Sequence, residues 1–189
     1  MNRKLLFALA LSLLALSAFA EPKPYNFAGI PWHAAPADVS KRLEAAGFSK
    51  LVRADDPAIN AYTFGGKIGV DPFEGLVFFS PDNKLLKIAL LFETTPEQAR
   101  ERHEATKAAL AKTYGKPAVD NAYYDPPYGA DSGELALKLD KAHFETVFRA
   151  EPVRDLVSVM LKEKGTQMVV SYEAADWPAE VERIRNQTR

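Results

Sequence analysis

Apolar and polar residues alternate in several separate runs along this chain, and stretches with helical spacing lie between them. Leu86, Ile88, Leu90 and Phe92 fall on one side of an extended run while Lys87 points away, the period of two that a strand with one buried face requires. Tyr62 and Phe64 mark an earlier strand and residues 75–79 another, so residues 60–93 read as an antiparallel meander. Ser80-Pro81-Asp82-Asn83 supplies the turn before the last of them, with proline presetting φ at its second position. Residues 144–148, 155–161 and 167–172 read as further strands, and Glu163-Lys164-Gly165 turns the final pair. Leu135, Leu137 and Leu139 alternate as in a strand, yet a short helix starting at Ser132 also accommodates Leu135 and Leu139; the pattern leaves both open.

Three helices are expected. The first runs from Pro36 to Gly47: proline fits its first position, Val39, Leu43 and Ala46 share a face, and glycine supplies the left-handed stop. The second begins at Thr95-Pro96-Glu97-Gln98, an N-cap threonine with a capping-box glutamine, and ends at Tyr114-Gly115. Its stripe, Ala99, His103, Thr106, Leu110 and Tyr114, is mild, as suits a helix lying over a sheet. The third runs from Trp177 to about Arg185 with Trp177, Val181 and Ile184 on one side. The expected class is α+β, a mostly antiparallel sheet with helices on one face, in a single domain.

A constant offset lays 70–93 over 150–173 without a gap. Pro72, Leu76, Val77, Lys84 and Glu93 then match Pro152, Leu156, Val157, Lys164 and Glu173, and Ile88, Leu90 and Phe92 face Met168, Val170 and Tyr172. The match predicts a tandem duplication of a helix-plus-meander unit, with halves at about 36–94 and 95–174 and a C-terminal helix beyond. Two unrelated hairpins of similar composition are the alternative.

The stretch 1–20 changes the picture of where the chain works. Arg3 and Lys4 precede an apolar run from Leu5 to Leu16, and Ala18-Phe19-Ala20 forms a small-residue cleavage site, the signature of a secretory signal peptide cut after Ala20. The apolar run is short for a span of ~30 Å of hydrocarbon, so no membrane anchor is expected after cleavage. The expected location is periplasmic or secreted. Cleavage removes two of the 24 basic residues and leaves all 25 acidic ones, a net charge of −3, with lysines and arginines scattered among acids. Nucleic acid is therefore not an expected partner. With no cysteine there is no disulfide framework, thiol nucleophile, zinc–thiolate site or lipidated thiol.

The opening F-A-G-I-P-W-H-A-A-P-A-D-V-S-K-R-L, residues 27–43, resembles the start of small exported bacterial domains of unknown function. The repeated helix-plus-meander layout is similar to the β-lactamase-inhibitor-protein-like arrangement, also found in small outer-membrane assembly lipoproteins. Members of that arrangement mostly act by binding other proteins, and the resemblance implies the same here. The lipid-anchor cysteine of the lipoproteins is missing, which removes the implied outer-membrane tether.

Candidate chemistry is sparse. His33, His103 and His143 show no metal-ligand spacing, and there is no nucleophile elbow or phosphate-binding loop; Gly65-Gly66-Lys67 reads as a turn. No metal or cofactor is expected. A hydrolase would have to be assembled from Ser132, His143 and either Asp125 or Asp131. Asp120, Asp125, Asp131 and Glu134 depart from an EF-hand nearly everywhere.

Lys116 to Gly133 shows no periodicity, and loops longer than about 12–15 residues are usually functional or disordered. Tyr123, Tyr124 and Tyr128 argue against disorder, because tyrosine offers a large rigid surface with a polar tip. Asp125 and Asp131 add a negative fringe in a stretch, Ala118 to Leu137, without lysine or arginine. These five residues, with Trp32 as an outlying platform, are the expected contact set for a protein partner in the cell envelope, as an inhibitor, immunity or adaptor protein would need; the alternative is that the tyrosines close over one end of the sheet. A small-ligand or glycan-binding cleft between the two halves is the second expectation, and catalysis is not expected.

Overall fold

The computed structural model describes residues 25–56 and 59–187; the expected signal peptide lies outside them. In chain order the elements are α1 (Pro36–Ala45), β1 (Val52–Arg53), β2 (Ala61–Ile68), β3 (Asp71–Phe79), β4 (Leu85–Glu93), α2 (Pro96–Tyr114), β5 (Val119–Tyr124), α3 (Gly133–Lys138), β6 (Ala142–Arg149), β7 (Leu156–Lys162), β8 (Gln167–Glu173) and α4 (Trp177–Gln187). The eight strands form one sheet in the order β1-β2-β3-β4-β8-β7-β6-β5, antiparallel throughout. The α+β class and the antiparallel sheet are as the sequence led one to expect.

Each half holds a leading helix and four strands, the second interrupted by α3 between β5 and β6, and β4 and β8 meet in the middle. Leu90 pairs directly with Val170, and Ile88 with Tyr172 and Phe92 with Met168 lie symmetrically about them. Leu90 and Val170 are also matched positions in the sequence alignment of the two halves. The offset thus coincides with a local two-fold axis through this seam. The turns before the two strands share a left-handed residue as well, Asn83 at φ 61° and Glu163 at φ 49°.

One face of the sheet carries the core. Val39 and Leu43 of α1 join Phe64, Phe73, Val77 and Phe79 over the first half, and Ala99 and His103 of α2 lie buried over the second. On the opposite face, α4 is anchored at one end by Trp177, whose ring lies 5.2 Å from Phe78.

Several local expectations need correction. Thr95 makes no side-chain cap to α2, because its hydroxyl serves the Glu97 carboxylate instead. Residues 133–138 form a helix, but it buries Ala136 and Leu137, so Leu135 and Leu139 remain 55% and 47% exposed. In α4 the half-buried stripe of Trp177, Val181 and Ile184 is accompanied by a buried Glu180, neutralised by Arg183 at 2.5 and 2.8 Å. The segment read as a loop from Lys116 to Gly133 contains β5, which pairs with β6 from Val119↔Val147 to Tyr124↔Ala142.

Candidate functional site

The contact set expected from the sequence falls in two places. Tyr123, Tyr124, Asp125 and Tyr128 cluster at and just beyond the end of β5, while Trp32 packs against the core in the first half, beside α1 in a recess it shares with Asp38, Lys41 and Arg42. Within the cluster the roles divide. Tyr124 turns toward the core, edge-on to Phe144 at 5.9 Å, and Tyr128 is packed there too. Tyr123 alone of the three projects outward, 56% exposed and stacked on His143. Asp131 is exposed in a short 3-10 turn.

The negative fringe is largely answered by lysines from elsewhere in the fold. Lys141 lies 3.3 Å from Asp125, Lys107 lies 3.2 Å from Asp120, and Lys138 meets Glu134. Asp120 also accepts a 2.9 Å bond from the Thr146 hydroxyl, and these partners hold its carboxyl below the usual range against the opposing effect of burial, the largest single influence. Charge is therefore a minor part of what this surface offers.

Its main chain is the larger part. The Asp125 N–H donates to Lys141 O at 2.9 Å, which turns the odd-numbered residues of β5 toward β6. The Ala150 N–H donates to Asp155 O at 2.8 Å, which turns the even-numbered residues of β6 toward β7 and leaves its odd ones for β5. Because bonding alternates along an antiparallel ladder, Asn121 and Tyr123 bond inward to β6, and Asp120, Ala122 and Tyr124 present their N–H and C=O groups outward. No strand lies beyond β5 among the described residues. The strand is six residues long and carries neither lysine nor proline, the usual blocks on an edge. At the other edge β1 is only two residues long.

A second feature lies at the seam, on the face that bears α1 and α2. A cleft of about 390 Å³ runs beside α2 over β4 and β8, with Leu90, Met168 and Val170 on the sheet side and the exposed Ala105 and Ala109 at its margin. Tyr172 also lines it. Among the described residues its hydroxyl has no hydrogen-bond partner, and burial pushes that hydroxyl well above the usual phenol range. At the rim, Arg102 donates to Glu93 O at 2.6 Å and lies 3.1 Å from Asp71 at the start of β3. None of these cleft residues was singled out in the sequence for a site; those on β4 and β8 stood out only as strand positions. The available signal was the pair of alanines at 105 and 109, four apart on a helix whose stripe is otherwise mild.

The residues of the improvised triad are occupied separately. Ser132 accepts a bond from the Gly129 N–H at 3.3 Å, His143 stacks on Tyr123, and no hydrogen bond joins the two among the described residues. His33 bonds Asp176 at 3.0 Å, and His103 is buried 3.4 Å from Val159 O. No three of the described histidines and acids come together as a metal site, and no described helix is long and apolar enough to cross a membrane. No family model, curated protein or solved structure matches this chain.

Proposed function

We propose that this chain is an exported, non-catalytic protein that binds another protein by accepting an extended segment of it onto the free edge of β5. The observation that carries the reading is the outward main chain of Asp120, Ala122 and Tyr124 on an edge strand that holds neither lysine nor proline. Main-chain bonds would supply affinity, and side chains on alternate positions would supply specificity. Tyr123 and His143 form the adjoining flat surface, suited to an apolar or aromatic side chain of the incoming strand. The location, periplasm or cell exterior, rests on the stretch 1–20.

The substitution Ala122→Pro tests this directly. Proline removes an N–H that bonds nothing among the described residues, and proline is tolerated on a sheet edge, so the fold should survive while strand addition is blocked. A partner retained from envelope extract by the wild type should be lost by this variant and weakened by Tyr123→Ser. With that partner bound, the Ala122 and Tyr124 amides should gain protection from hydrogen exchange. Equal retention by wild type and Ala122→Pro, or a bound partner that leaves those amides unprotected, overturns the reading.

A further inference from the structure

We infer that the cleft on the β4–β8 seam is a binding site for a small, neutral, largely apolar molecule carrying one hydrogen-bond-accepting oxygen. This is independent of the β5 edge. The cleft lies on the face that bears α2, and β5 lies at the margin of the sheet.

Its size fits such a ligand, since small-molecule sites typically fall at about 300–1,000 Å³ with apolar walls and a few placed polar groups. The walls are made by both halves of the chain, Leu90 from one and Met168 and Val170 from the other. One side of the cleft is α2. Ala99 and His103 seat that helix on the sheet, half-buried Thr106 and Leu110 border the cleft, and the exposed Ala105 and Ala109 line its open margin, where larger side chains would cover the entrance.

The Tyr172 hydroxyl supplies the chemistry. This donor lines the cleft and bonds nothing among the described residues, and it stays within reach of water that a ligand's acceptor can replace. A carbonyl, ether or hydroxyl oxygen on the ligand would satisfy it. The ligand should be uncharged, because Arg102 at the rim is already matched by Asp71 and the Glu93 carbonyl. The same ion pair ties the tip of the β2–β3 hairpin, with Ile68, to α2 beside the opening.

Two compounds of nearly the same shape isolate the oxygen: benzophenone, which has the carbonyl, and diphenylmethane, which lacks it. Titration calorimetry on the wild type should show both binding, benzophenone about fivefold more tightly, the ratio expected for one net hydrogen bond. Tyr172→Phe should bring the two affinities together without loss of diphenylmethane binding. Ala109→Phe, or Ala105→Leu if the first variant fails to fold by circular dichroism, should abolish both. Ala122→Pro should change nothing, which separates this site from the edge. The inference is overturned if the wild type binds neither compound, if the preference survives Tyr172→Phe, or if the filled variants bind as the wild type does.

Discussion

Gly75 should not accept even alanine without a loss of stability, and the reason is a single ring. It lies opposite Phe64 on β2 and Leu90 on β4, in the middle of the core face. A Cβ placed on it would stand 2.0 Å from Phe64 Cε1 and 2.4 Å from Cδ1 and Cζ. Carbon atoms rest at about 3.5–4.0 Å, so the ring would have to retreat by roughly 1.5 Å. Phe64 is 4% exposed and boxed in by Phe27, Phe48 and Phe73 at centroid distances of 6.2, 6.0 and 5.6 Å. There is no open side into which it can move.

Overpacking of this kind costs about 1–3 kcal/mol, while replacing a strand glycine by alanine without a clash gains roughly 0.5–1 kcal/mol. Gly75→Ala should therefore destabilise by about 1–2 kcal/mol, a fall in Tm of roughly 3–6 °C for a chain of this size. Urea unfolding at constant m-value gives the free energy. The decisive comparison is with Phe64→Val, which removes the ring atoms that clash. In that background Gly75→Ala should become neutral or stabilising, a coupling of about 2 kcal/mol. If the two changes add to within about 0.5 kcal/mol, the ring is not the cause and the argument fails.

Two further expectations concern charges. Burial, the leading influence, lowers the His103 pKa, opposed by the Val159 carbonyl, Glu104 and Asp120 and assisted by Lys107; the unfolded chain therefore takes up this proton first, and stability should be lost as pH falls below about 6.5. The urea midpoint should drop between about pH 7.5 and 5.5, and His103→Gln should flatten that slope; an unchanged slope would assign it to other groups. Lys87 and Glu173 pair across the seam at 2.7 Å with side chains only 17% and 15% exposed, and the Trp177 ring lies 5.1 Å from the ammonium. Lys87→Met should cost about 2 kcal/mol by leaving a largely buried carboxylate unpaired, and adding Glu173→Leu should recover most of it; a double variant no more stable than the single would contradict this.

Strands that bury one face were legible because their alternation is a local property. Leu86 to Phe92 shows it plainly, and Val157, Val159 and Leu161 repeat it. The strand β5 was not legible for a related reason: as an edge strand it leaves Asp120, Asn121, Ala122 and Tyr123 exposed, so its sequence shows no contrast between faces. Its tyrosines drew attention as surface, yet Tyr124 and Tyr128 are largely inward. The feature that matters most there, the outward N–H and C=O groups, carries no side-chain signature at all. In α3 the alternation of leucines misled because a short helix buries Ala136 and Leu137 instead.

The seam shows what a sequence offset can and cannot convey. That matched positions of the two halves resemble one another said nothing of where they meet, yet the pairing of Leu90 with Val170 puts equivalent positions face to face. Two equal halves would cover such a seam equally from both sides. These halves are unequal: α1 has ten residues and α2 nineteen. Of the two, α2 lies against β8, and its exposed Ala105 and Ala109 leave the margin of the cleft uncovered. Tyr172 shows the same break in symmetry, since its equivalent in the first half is Phe92, which has no hydroxyl. The cleft and its polar group thus arise where the two halves cease to be alike, so a comparison built on their likeness passes over them.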